Sequence, residues 1–231
     1  EIINDDEVYL PINHQKDFEL QVLPPSLKEA LRYFVLSTAI RYARGQNNDN
    51  ISMMVNVSRF KNVHKSVADC IKSYLKTIIE SVYYCGCGSK DDVFLSLEDT
   101  WEKYRLGELC EWEKSLKFVH LVLKEIEVLV INSASGDSLH YSQEYGRKII
   151  AVGGFSLSRG LTLEGLHVSY LIRNSNMYDT LMQMGRWFGY RVGYQDLCKL
   201  FLTSDVKDRY QRISEATSDL RDELRLMSRL G

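Results

Sequence analysis

Two stretches of this 231-residue chain concentrate residue types that handle phosphate. The first is Gly153-Gly154-Phe155-Ser156-Leu157-Ser158-Arg159-Gly160-Leu161-Thr162-Leu163-Glu164-Gly165, which holds four glycines, two serines, a threonine and an arginine. It follows directly on the apolar run Lys148–Val152. Glycines let a backbone turn tightly and bring N–H donors close to an anion. The plainer reading is a tight strand-to-helix turn carrying a salt-bridged Arg159. The second stretch is Gln183-Met184-Gly185-Arg186-Trp187-Phe188-Gly189-Tyr190-Arg191, with two arginines five positions apart among aromatics and glycines. Guanidinium groups are permanently charged and contact phosphate bidentately. The alternative has Trp187, Phe188 and Tyr190 packing while the arginines pair with Asp179 or Glu164.

Other chemistries find little support. No Gly-x-x-x-x-Gly-Lys-Ser/Thr string occurs, and no acidic DExx-type run follows a strand, so the parts that cradle nucleotide phosphates and hold magnesium are missing from this chain. A metal-dependent nuclease needs clustered carboxylates or histidines. The acidic spots Asp91-Asp92 and Glu98-Asp99 read as solvated helix ends, and the five histidines are dispersed. Five scattered cysteines suit free thiols in the cytosol; Cys85-Gly86-Cys87 alone is closely spaced, too little for zinc without a second pair.

The elements that must position these loops alternate. Pro24-Pro25-Ser26 opens a helix that runs through Arg44 and stops at Gly45. Ile51–Val57 reads as a buried strand, followed by a helix over about 63–82. Two helical stretches surround Trp101 and Trp112. Strands are expected at Glu127–Asn132, Lys148–Val152, His167–Ile172 and Leu197–Leu202, with helices over Tyr178–Phe188 and Asp205–Leu230. Apolar strands separated by helices imply an α/β fold with a mostly parallel sheet covered on both faces. In such sheets the functional groups sit beyond the carboxyl ends of the strands. That directs attention to the loops after Val57, Val152 and Ile172.

Composition is globular: 45% hydrophobic, 26% charged, formal charge −2, and no run long enough for a membrane helix. Charge is unevenly spread. Residues 28–76 carry nine Lys/Arg against three Asp/Glu, a phosphate-facing surface or an ordinary solvated helix face. Residues 85–140 carry six against eleven, which reads as an insertion with its own surface. The first residue is not Met and the acidic start lacks a signal-peptide layout, so the chain reads as a cytoplasmic piece of a longer protein.

The Ser158-Arg159-Gly160-Leu161 loop and the Gln183–Arg191 segment resemble, in order, motifs V and VI of superfamily-two helicases, with Met53–Ser58 as motif IV. More closely, Leu23–Ala30, Ser52–Ser58, Gly153–Gly165 and Gln183–Arg191 resemble the Z-one domain family, whose members are described as candidate endonucleases of helicase-like ATPase organisation. The resemblance implies a RecA-like second lobe over 23–84 and 126–231, a helical insertion over 85–125, and residues 1–22 as a linker from a missing N-terminal lobe. That companion lobe would supply Walker A and B and, with it, ATP and Mg2+. By the same carry-over Arg186, Arg191 and Gln183 are the catalytic residues, with Gly160, Thr162 and Glu164 at the nucleotide. Ser58, Arg59, Ser158 and Arg159 would contact nucleic acid. Two departures stand out: the arginines are five apart where the helicase pattern has three, leaving the finger open, and Thr162 replaces the usual Asp, a part Glu164 would take. The expectation is a DNA-directed motor lobe of restriction or defence type. The alternatives are a non-catalytic nucleic-acid or protein-binding module of RecA-like shape, and a metal-dependent nuclease.

Overall fold

The apolar runs become the middle of one sheet. The computed structural model describes residues 1–11, 13–85, 91–131, 145–154, 157, 163–172 and 192–230, with the backbone alone at 85, 226, 229 and 230. Strands β1 (Ile2–Ile3), β2 (Ile51–Asn56), β3 (Ile126–Ile131), β4 (Lys148–Gly153), β5 (Leu166–Leu171) and β6 (Lys199–Thr203) lie in the order β1-β6-β5-β2-β4-β3. Every pairing is parallel. β2, β4 and β5 are buried at every residue, which is why they read as continuous apolar runs rather than alternating ones. Successive side chains still take opposite faces: Met53, Val55, Val152 and Tyr170 join one core, Met54, Ile149, Ala151 and Leu171 the other.

The helices among the described residues are α1 (Asp6–Tyr9), α2 (Pro25–Ala43), α3 (Lys61–Cys85), α4 (Asp92–Lys103), α5 (Trp112–Glu125) and α6 (Ser204–Leu230). α2 begins with proline at its first position and ends in a Schellman arrangement: Gly45 N–H bonds the Tyr42 carbonyl, Gln46 N–H the Arg41 carbonyl, and Gly45 sits at φ +83°. Leu27 to Tyr42 is buried almost without interruption, because α2 is sandwiched between the sheet and α4 and α5.

The expected helical insertion over 85–125 packs into the main core. Leu97 and Trp101 of α4 and Val119, Val122 and Leu123 of α5 belong to the main core, and Trp101 meets Trp112 edge-on at 5.1 Å. Apolar rows on α4 and α5 cover the far side of α2, and the acidic surplus lies on their outer surface. Residues 1–22, expected as a linker, pack onto the same fold. β1 adds to the sheet beside β6, and Leu10 and Leu20 are buried in the main core. The Asp5 carboxylate accepts from Ser26 N–H at 2.8 Å and Ser26 Oγ at 2.5 Å, satisfying α2's first turn where Pro24 offers no side-chain cap. With that hydroxyl proton committed to Asp5, the Tyr170 O–H donates to Ser26 Oγ at 2.7 Å. Burial pushes the Tyr170 phenol above its ordinary range, so it stays protonated and able to donate.

The amino ends of the strands are closed by charge. Arg41 is 1% exposed; it donates to Gln46 Oε1 at 3.0 Å and the Gly165 carbonyl at 3.3 Å, and lies over the Tyr194 ring at 4.0 Å. Lys148 donates to the carbonyls of Asn47 and Gly146 at 2.5 and 2.8 Å. Arg44 grips Asp196 bidentately at 2.9 and 2.6 Å, and this hydrogen bond lowers the Asp196 carboxyl below its ordinary 3.8. Among the described residues no helix is long and apolar enough to cross a membrane.

Two outcomes follow for urea unfolding. Asp5→Ala should cost about 1 kcal/mol through the lost cap and raise amide exchange at Ile2 and Ile3; an unchanged midpoint refutes the capping role. Asp196→Asn should cost well under ~1 kcal/mol because the pair is partly exposed. A carboxyl lowered in the folded state stabilises above its unfolded value and loses that contribution as pH falls through the lowered one. The gap between variant and parent should therefore close in acid and persist at neutral pH.

Candidate functional site

The carboxyl edge is where the sheet presents loops of different strands side by side. Asn56 pairs in register with Gly153 of β4 and Leu171 of β5, so three strands end level. α2 runs against the strands, which brings its N-terminus, capped by Asp5, to this edge beside Tyr170. β2 continues into Val57-Ser58-Arg59-Phe60 and then α3.

Ser58 is 2% exposed, and its hydrogen bonds explain why. Its Oγ accepts from Phe60 N–H at 3.0 Å and faces His14 Nε2 at 2.7 Å. The other ring nitrogen, His14 Nδ1, is 2.7 Å from the Pro11 carbonyl, which can only accept. In the neutral imidazole Nδ1 therefore carries the proton, Nε2 is an acceptor, and the Ser58 hydroxyl donates to it. His64 Nε2 donates to the Ser58 carbonyl at 2.8 Å. Both hydroxyl functions of Ser58 are thus used inside the protein. The side chain expected to contact nucleic acid thus holds residues 11–14 through His14.

Arg59 is exposed, its guanidinium 4.7 Å from the Phe60 ring centre. Lys61 and Lys65, at the start of α3, are exposed as well, and no described carboxylate forms an ion pair with any of the three. The basic stretch 28–76 therefore divides. Arg41 and Arg44 are bound into the amino edge, Arg32 donates to Thr100 and Tyr74, Lys28 lies over the Tyr74 ring at 5.7 Å, and Lys72 and Lys76 pair along their own helix with Asp69 and Glu80. The cations left for a ligand gather where β2 leaves the sheet.

Glu164 lies elsewhere. The chain crosses from Gly153 at the carboxyl edge to Leu166 at the amino end of β5, and Glu164 sits just before that strand. Asn50 Nδ2 donates to Glu164 Oε2 at 2.6 Å, and Ser52 Oγ donates to the Glu164 carbonyl at 2.7 Å. Gly165 follows at φ +67°, where an added Cβ would fall 1.7 Å from the Asn50 carbonyl oxygen. The length of a six-residue strand, about 20 Å, separates Glu164 from the loops after β2, β4 and β5. Glu164, expected at the nucleotide, thus lies at the amino ends of the strands.

Gly153, Gly154, Leu157 and Leu163 of the glycine-rich loop are described; Leu157 is buried in the second core. Ser158, Arg159, Gly160 and Thr162, like Gln183, Arg186 and Arg191, lie outside the described residues. The helix expected over Tyr178–Phe188 lies outside them too. The described chain leaves the carboxyl edge at Ile172, whose N–H bonds the Asn56 carbonyl, and resumes at Val192. Asp91, a candidate nuclease carboxylate, caps α4 by accepting from Phe94 N–H at 2.8 Å and from the Ser81 hydroxyl. Among the described residues no group of His, Cys, Asp and Glu is arranged to hold a metal ion. Cys70, Cys110 and Cys198 are free thiols.

An all-parallel sheet with helices and covered faces defines an α/β protein whose loops converge on the carboxyl edge. A family model described as the Z1 domain matches residues 26–231, and the chain belongs to that family. No curated protein and no solved structure matches it.

Sequence reasoning missed His14, filed among dispersed histidines. Its partner is 44 positions away, and no local pattern signals the pairing. Ser58→Ala should cost about 1–3 kcal/mol by leaving His14 and Phe60 N–H without their partner. Glu164→Gln, exposed at the other edge, should stay within ~0.5 kcal/mol. Equal denaturation midpoints for the two variants would overturn the assignment.

Proposed function

We propose that this chain is the second RecA-like lobe of an ATP-driven, nucleic-acid-directed motor, the reading implied by its helicase-like motifs. The observation that carries it is topological. β2 and β5 are neighbours, yet the chain leaves β2 toward β4 and β3 and leaves β5 toward β6. Such a reversal opens a crevice outside the carboxyl ends of the two strands, and ligands of parallel α/β sheets bind there. The segments leaving those two strands are the ones that carry Arg59 on one side and Gln183, Arg186 and Arg191 on the other.

On this reading a companion lobe holds ATP and Mg2+, and the present lobe brings permanent cations to the transferred phosphoryl group. Arg186 and Arg191 stabilise charge that grows in the transition state, an effect worth roughly 10³–10⁵ in rate for arginine fingers. Gln183 positions the attacking water or couples the lobes. On this reading the Mg2+ belongs to the companion lobe, as the resemblance implies. Arg59, with Ser158 and Arg159, faces the nucleic-acid backbone, and motion between lobes passes from the nucleotide to that contact. The endonuclease description of the family gains nothing from Asp91, which is committed to capping α4.

The isolated chain should hydrolyse no ATP, and turnover by the pure chain would refute the half-site assignment. In a protein that includes the companion lobe, Arg186→Ala and Arg191→Ala are each expected to lower kcat, the finger by roughly 10³-fold. Unchanged kcat in both variants would remove the finger role.

A further inference from the structure

We infer that Arg59, Phe60, His14 and Phe18 form a stacking platform for single-stranded nucleic acid, an inference that rests on the nucleic-acid-directed reading above. Four groups from two distant parts of the chain make one ladder. The Arg59 guanidinium lies 4.7 Å from the Phe60 ring centre. His14 meets Phe60 at 5.8 Å with its plane turned 73°, and lies tilted against Phe18 at 5.4 Å. Phe18 and Phe60 are each half-buried: one side packs on the main core while the rest stays open to solvent.

The ladder is rigid for a reason. His14 is held at both ring nitrogens, by the Pro11 carbonyl and by Ser58, so its plane is fixed between the two phenyl rings. Ser58, turned inward, is thereby a positioning residue for the platform. Rings pinned in this way lose little conformational entropy when a flat ligand lands on them. The flat ligand that suits an aromatic face next to a guanidinium is an unpaired base, whose phosphate reaches the cation.

Charge is at hand for the phosphates: Arg59 and Lys61, exposed on either side of Phe60 in the chain, would hold the backbone while the bases turn toward the rings. A neighbouring cavity of about 850 Å³ lined by residues 17–23 and α3 holds Asp17, Glu19 and Asp69 together with Lys28 and Lys65. A duplex has its base faces already stacked and cannot use the platform, which makes the preference one for single strands.

The test is fluorescence anisotropy of the 231-residue chain with a labelled oligo-deoxythymidine and a duplex of equal length. The single strand should bind at least roughly tenfold tighter than the duplex. Phe60→Leu and Phe18→Leu keep apolar volume against the core but remove the π-face. Each, shown folded by its thermal melt, should weaken single-strand binding roughly five- to fiftyfold and leave duplex binding unchanged. Arg59→Gln should weaken both and flatten the salt dependence. Leucine variants that bind like the parent, or a duplex bound as tightly as the single strand, overturn the platform. If Arg59→Gln still loses affinity in that case, the nucleic-acid reading survives alone. Absence of binding to either probe overturns both.

Discussion

β2 is the strand on which the molecule is organised. Its backbone is bonded on one side to β4 and on the other to β5, and none of its six residues reaches solvent. A parallel strand can be paired on both sides only if its connections cross over the faces of the sheet, and those crossovers must bury both faces. The helical layers, the burial of α2 and the shared level at which β2, β4 and β5 end all follow from that requirement. One strand register thus decides which loops meet at the carboxyl edge.

The two edges then take different chemistry. The amino edge is a lock: Arg41 and Lys148, both nearly inaccessible, spend their donors on carbonyls and side chains that hold the turns before β2, β4 and β5. Buried cations need such satisfaction, since desolvation alone would expel them. The carboxyl edge keeps its cations outside. Arg59, Lys61 and Lys65 surround the exit of β2 while the strap formed by residues 1–22 passes nearby, pinned by Asp5 at α2 and by His14 at Ser58. This N-terminal segment contributes side chains to the carboxyl edge of the sheet.

Membership of the Z1 domain family places this chain in a group, and the parallel α/β architecture explains where such a group would carry out its chemistry. Fold alone does not dictate function. What the described residues show is a change of direction between β2 and β5: the chain continues from β2 toward β3 and β4 and from β5 toward β6. A guanidinium keeps its charge at any working pH, and Arg59 holds one exposed in the loop that follows β2.

Local pattern was enough for the elements. Residues 25–43, 51–56, 148–153 and 166–171 were legible because burial of parallel strands leaves uninterrupted apolar runs, and because Pro25 and Gly45 mark helix ends by their own backbone restrictions. The Gly153–Gly165 and Gln183–Arg191 stretches stand out by composition alone, as glycines, serines and arginines in unusual density. Which side chains share an edge was not. Glu164 is two residues from Thr162 in the chain, but the crossover has by then carried it to the amino ends of the strands. Ser58 carries a hydroxyl suited to a phosphate, but a histidine 44 residues earlier claims it. The nine cations of 28–76 look like one surface until burial and pairing divide them. Periodicity and backbone preference act over a few residues and are written in the sequence itself, whereas the partner of a polar side chain is chosen by what the folded chain brings within about 3 Å.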